Sequence, residues 1–242
     1  AEHPYAALAI QRLAEAAGIE HSNPTEYYVP DDSALGSYRP FVGKKICLLE
    51  RDDPTSGTNE TKSTAKIIDK ILDDSKNHRD QEAVLRARLL DMMIGDWDRH
   101  FDQWRFGAKD TGLGKLYYPI PRDRDEAFFN SNGIFLRSLS LSPFPFLQGF
   151  KKHFYNIKWF NLEERNFDRL FMNNVDANAW KRIIKEFQAN ETDSVIDNAV
   201  KQMPPKIYAL DKKIIPEKLR SRRDLLSTAG MKYYRFLAKE VT

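Results

Sequence analysis

With 242 residues, 41% of them hydrophobic and 30% charged, the chain has material for one large domain or two small lobes around a real core. Its net charge of +3 is too small for the basic footprint of a general nucleic-acid binder, and its single cysteine, Cys47, rules out an internal disulfide and a cysteine metal cluster. No apolar run reaches the roughly 18 residues that span a bilayer, and no signal peptide is visible.

The first residues run straight into a helical pattern with no initiator Met, and we expect the chain to be a piece of something longer. Residues 4–18 read as a helix, with Pro4 in its first turn, an apolar stripe through Leu8 and Leu13, and Gly18 as its C-terminal stop. Residues 25–30 and 44–50 read as short strands, the second one mostly buried at its end. A polar loop over 51–60 has linker composition. An amphipathic helix follows over 61–75 through Ala65, Ile68, Ile71 and Leu72. Asp80 suits the cap of a long helix over 81–94, whose apolar side is Val84, Leu85, Leu89, Met92 and Met93.

Residues 104–107 and 115–120 predict a hairpin, joined by the turn Lys109-Asp110-Thr111-Gly112-Leu113-Gly114. A Ser-, Pro- and Phe-rich loop lies beyond residue 130. Helices are expected at about 163–173, 176–188, 191–201 and 216–240, with Pro204-Pro205 as punctuation. The outline is α+β: a small helix-plus-strand part over 1–55 and a larger, mainly helical part over 56–242. Trp159 and Trp180 read as core residues. Lys218, Arg220, Arg222 and Arg223 read as a solvated helix face, and Phe144, Phe146, Phe150, Phe154 and Tyr155 as a packed aromatic loop.

The long helix ends in Gly95-Asp96-Trp97-Asp98-Arg99-His100-Phe101-Asp102-Gln103, and the hairpin ends in Arg122-Asp123-Arg124-Asp125. Five aspartates beside so many apolar residues need a cation, paired partners or solvent. Phosphoryl transfer fits the order. It requires one carboxylate for the acceptor hydroxyl, and an amide or carboxylate plus a further carboxylate for the cations on the nucleotide phosphates. Asp98 fits the base, Gln103 one metal ligand and Asp123 another. On an extended segment Asp125 would share the face of Asp123. The plain alternative is a charged turn in which these aspartates pair with Arg99, Arg122 and Arg124. Arg99 reads as a partner for carboxylates under either view, His100 as a buried brace of the loop, and Asp96 as a cap or turn residue.

The run Gly95-Asp96-x-Asp98-Arg99-His100-x-x-Gln103 resembles the catalytic loop of atypical protein-kinase-like enzymes of the HipA and CotH type. The resemblance implies a truncated protein-kinase-like fold in which the hairpin follows the catalytic loop. It also implies catalytic roles at Asp98, Arg99 and His100, and metal binding at Gln103, Asp123 and Asp125. Leu49, Glu50 and Arg51 would form the hinge against which adenine packs, with ATP and Mg²⁺ or Mn²⁺ as cofactors. Two features depart from that pattern: Gln103 stands where asparagine is usual, and no glycine-rich phosphate loop precedes it.

The longer pattern runs from His3-Pro4-Tyr5-Ala6-Ala7 through Leu85-Arg86-Ala87-Arg88-Leu89 and Ile120–Asp125 to Tyr233-Tyr234-Arg235-Phe236-Leu237. It resembles a kinase-like segment of large Gram-negative envelope proteins that carry a phosphoesterase domain upstream and an outer-membrane barrel downstream. This implies a periplasmic setting, neighbouring domains as partners, no nucleic acid, and membrane contact only through a downstream domain. A degenerate kinase fold serving as a binding or spacer module is the alternative. A metal-dependent phosphohydrolase is less favoured, because the histidines lack ligand spacing.

Overall fold

The structure is a computed structural model and describes residues 2–50, 60–130 and 146–239. In chain order the first elements are α1 (Ala6–Ala16), β1 (Thr25–Val29), α2 (Arg39–Val42), β2 (Lys45–Leu49), β3 (Lys62–Ser63), α3 (Thr64–Asp73), β4 (His78–Arg79) and α4 (Gln81–Ile94). Then come β5 (Trp104–Asp110), β6 (Lys115–Pro121), α5 (Ile157–Phe160), α6 (Arg165–Phe171), α7 (Ala177–Asn190), α8 (Asp193–Val200), α9 (Pro205–Asp211) and α10 (Ile214–Ala238). β1 and β2 form an antiparallel ribbon. A second sheet has the order β3-β5-β6-β4, antiparallel except for the β4–β6 pair. The expected linker over 51–60 lies, but for Glu60, outside the described residues, as do Arg51 and Phe144.

α4 is the axis of the molecule. The Asp80 carboxylate accepts from the Ala83 N–H at 2.9 Å and closes its first turn, as its sequence predicts. Every residue from Ala87 to Ile94 is buried, so the helix is covered on all sides by α1, α7, α10 and β6. That burial takes in two charges, Arg88 and Asp91. α1 packs on α8 and α4, so the first helix joins the helical body on the far side of the chain. Trp104 and Phe106 of β5 stack on Phe167 and Phe171 of α6, and this aromatic column ties the hairpin to the helices.

Several expectations are corrected. β2 is not buried at its end: Leu49 is 64% exposed, and most positions of the ribbon are exposed on both faces among the described residues. In α3 Ile67 is the buried apolar residue and Ile68 and Ile71 pack partly against the core, while Ala65 and Leu72 face water. Trp180 is core but Trp159 is 46% exposed. Arg222 is buried rather than solvated. Its guanidinium donates to the carbonyls of Met92, Met93 and Lys151 and lies against the rings of Phe150, Phe154 and Phe160. The aromatic loop packs inward through Phe150 and leaves Tyr155 in solvent. Among the described residues no helix is long and apolar enough to cross a membrane.

Candidate active site

α4 ends at Gly95, whose φ of 78° turns the chain out of the helix. A side chain at this position would press on the Phe150 ring, with its Cβ 3.0 Å from Cδ2. The next residues are held by a buried ion network. Asp91 accepts from Arg88 at 3.0 Å, from Arg99 at 3.2 Å and from Arg124 at 3.3 Å. Arg99 also reaches Asp96 at 2.7 Å, and Arg88 reaches Asp168 at 3.0 Å and Asn161 at 2.7 Å. The Tyr233 hydroxyl donates to Asp168 at 2.6 Å.

Burial disfavours charge on Asp91, but Arg99, Arg124 and Arg88 outweigh it and hold its carboxyl below the usual range. Asp96 is pushed up to about 6 by burial, against the pull of Arg99. Three guanidiniums (Arg88, Arg99, Arg124) face three aspartates (Asp91, Asp96, Asp168). Glu164, buried beside them with no hydrogen bond to either carboxylate oxygen, is pushed up to about 9 by burial and stays protonated at neutral pH. A neutral Glu164 keeps this set balanced.

The network decides the fate of the proposed catalytic trio. Arg99 is fully buried and works as a positioning residue: its guanidinium bonds Asp91, Asp96, the Gln103 side-chain carbonyl and the Arg122 main-chain carbonyl. His100, expected to be buried, is exposed at the start of a single 3-10 turn. Asp98 is half-buried, and burial raises its pKa, with His100 opposing and Asp123 adding to the rise. Trp97 beside it stacks on Phe146 at 5.2 Å.

The β5–β6 register sets the second loop against the first. Trp104 pairs with Pro121, and the Arg122 N–H donates to the Gln103 main-chain carbonyl at 2.9 Å. Asp123 follows in irregular backbone rather than in the extended segment expected, with φ at 53°. Phe128 also has positive φ, 59°, with its N–H donating to the Ile94 carbonyl at 3.0 Å. Two non-glycine residues in this sparse region, five apart and on one loop, show a backbone fixed by its surroundings. The Gln103 side-chain amide spans the loops, accepting from Arg99 at 3.3 Å and donating to Asp123 at 3.3 Å.

Gln103, Asp123 and Asp125 line one cavity of about 730 Å³ together with Glu2, His3, Leu48, Glu50, Asp102 and Arg124. The strand alternation of β2 sorts the expected hinge: Leu48 and Glu50 face the cavity and Leu49 points away. Asp98 does not line the cavity and stands within electrostatic range of Asp123. Asp125 is raised by burial and by the Asp123 charge. Glu126 is pushed up to about 7 by burial and by Glu2, Asp125, Asp98 and Asp96. Sequence reading gave Arg124 a carboxylate partner but not Asp91, which it meets at 3.3 Å, and it assigned no role to Arg88, Asp91, Glu126, Glu164 or Asp168. The available signal was two charges, Arg88 and Asp91, inside an otherwise apolar helical run.

Among the described residues no group of three or more His, Cys, Asp or Glu side chains is arranged to hold a metal ion. Two carboxylates in one cavity, Asp123 and Asp125, suit a hard cation that keeps most of its waters. Gln103 as placed does not, since its N–H₂ end faces Asp123.

No protein-family model and no curated protein matches the chain. In structure it is similar to a crystal structure of a Helicobacter pylori proinflammatory kinase, CtkA, with a TM-score of 0.48 and 11% sequence identity, covering 99% of this chain and 87% of that one. At that similarity the likeness assigns neither a family nor an activity.

Proposed function

We propose that the chain is a kinase-like phosphoryl-transfer module that takes ATP and a divalent cation, Mg²⁺ or Mn²⁺. One observation carries this reading: the loops at the two ends of the β5–β6 hairpin bring Gln103, Asp123 and Asp125 to one cavity whose other wall is the end of β2. At about 730 Å³ the cavity is within the usual range of about 300–1,000 Å³ for small-molecule sites. Leu48 offers the apolar surface for a base, and Asp123 and Asp125 offer oxygen ligands. Bound there, a divalent cation would neutralise the phosphate oxygens of the nucleotide. In this reading Asp98, which stands outside the cavity lining and within electrostatic range of Asp123, is the base for an acceptor hydroxyl brought to the cavity's edge. Arg99 holds both loops in place from below and touches no reacting atom. The envelope setting and the adjoining phosphoesterase and barrel domains belong to the same proposal and are supported by the sequence resemblance.

The orientation of Gln103 favours a second reading, a degenerate kinase fold that serves as a binding or spacer module. Calorimetry of the protein at its natural length with MgATP separates the two. The kinase reading expects metal-dependent nucleotide binding that Asp123→Asn weakens by about tenfold or more, since even the loss of a partner that only orients a metal ligand costs about 10–100-fold. Absence of such binding in the wild type would leave the spacer reading in its place.

A further inference from the structure

We infer that Gln103 is not a cation ligand but a bridge that positions Asp123, coupling the cavity to the buried arginine network. Donors and acceptors fix its orientation. Gln103 is buried, at 7% exposure, and its amide lies between a guanidinium and a carboxylate. Arginine donates only, and an ionised carboxylate accepts only. One amide orientation therefore pairs both ends: Oε1 toward Arg99 Nη1 at 3.3 Å and Nε2 toward Asp123 Oδ2 at 3.3 Å. Turning the amide to offer its oxygen to a cation at Asp123 would set N–H₂ against the Arg99 guanidinium and lose both bonds.

The chain length of glutamine matters here. The amide closes the gap between Arg99 of the network and Asp123 of the cavity, the latter 20 positions beyond Gln103 in sequence. Asparagine, one methylene shorter, reaches one end or the other. The path then runs from Asp168 through Arg88, Asp91 and Arg99 to Gln103 and Asp123. Asp123 needs such a hold, because its main chain is in the left-handed region and its side chain is exposed. The consequence for a cation rests on the phosphoryl-transfer reading, and the bridge does not.

The test is nuclear magnetic resonance of the chain labelled with ¹³C,¹⁵N-glutamine and ¹³C-aspartate, the side-chain signals of Gln103, Asp123 and Asp125 being assigned by their loss in Gln103→Met, Asp123→Asn and Asp125→Asn. Without metal, we expect one Nε2 proton of Gln103 to be protected from exchange and the N–H₂ pair to move in Asp123→Asn, while other glutamine side chains stay put. A Gln103 N–H₂ pair unmoved by Asp123→Asn overturns the bridge. Mg²⁺ is then added. The bridge expects the Gln103 carbonyl carbon to hold its position while Asp123 and Asp125 respond. A Mg²⁺-dependent shift of that carbon shows the amide turned round and overturns the proposal. No response to Mg²⁺ at Asp123 and Asp125 counts against the phosphoryl-transfer reading alone, and the bridge then stands or falls on the metal-free spectra.

Discussion

Glu164 shows how a single acid can be read from its surroundings. It caps the start of α6 without using its side chain as a cap, and both its carboxylate oxygens are buried with no hydrogen-bond partner. An ionised carboxylate there would face Asp168 and Asp91 as well as Arg88 and Arg99, and burial tips the balance toward the protonated form, up to about 9. Between its ordinary value of 4.5 and about 9 the unfolded chain gives up the proton and the folded chain keeps it. Folded stability therefore falls as pH rises through that window, and the contribution is flat below it. Glu164→Gln replaces a neutral acid with a neutral amide of the same shape. We expect stability at pH 6 to change by no more than about 1 kcal/mol, and the decline between pH 6 and 9 to become shallower. Urea unfolding at the two pH values checks this. An unchanged slope would show that Glu164 is ionised in the folded state.

At the scale of elements, what the sequence shows depends on whether a signal is local. The Asp80 cap and the hairpin are local, and both appear where turn and cap chemistry places them. α9 shows the other use of the same chemistry: Pro204-Pro205 reads as a stop, but Pro205 sits in the first helical turn and begins a helix. Burial of a charged residue is not local at all. Arg222 has two charged neighbours of the same sign in sequence, Arg220 and Arg223, which are partly buried and keep an acidic partner at the surface, Asp193. What draws Arg222 inward is the C-terminal end of α4, whose carbonyls need donors, and three aromatic rings, Phe150 and Phe154 from the loop before α5 and Phe160 from α5 itself. Burial lowers its pKa to about 9 without removing its charge at neutral pH. Lysine keeps the charge but is not a flat fork that can lie between rings and reach several carbonyls. Arg222→Lys should cost about 2 kcal/mol in chemical denaturation, a loss of charge-assisted hydrogen bonds. A change below about 0.5 kcal/mol, the size of an ordinary surface substitution, would deny that Arg222 holds the end of α4.

Across the whole molecule, stability is unevenly spread, and this bears on the candidate site because the cavity is shared by its strongest and weakest parts. One wall is the α4 loop, tied to the buried network. The other is the β1–β2 ribbon, which has Tyr27, Tyr28, Ile46 and Leu49 each more than half exposed. Its apolar residues gave a correct strand reading and a wrong burial reading, because a run of apolar residues does not say what covers it. A two-stranded ribbon is marginal on its own. Its tie near the turn is an exposed set of ion pairs, Asp31 with Arg39 and Lys44, which hold the Asp31 carboxyl down at about 2 and are screened by salt. Hydrogen exchange should therefore divide the cavity walls. The cross-strand amides of β1 and β2 are expected to open at a cost of at most about 2 kcal/mol, while those of Leu89 to Met93 exchange only with global unfolding, in the range of about 5–15 kcal/mol for ordinary domains. Added salt should lower the ribbon's protection and leave that of α4 in place. Equal protection of ribbon and helix would mean that the two walls open as one unit, and that whatever fills the cavity meets a site already assembled.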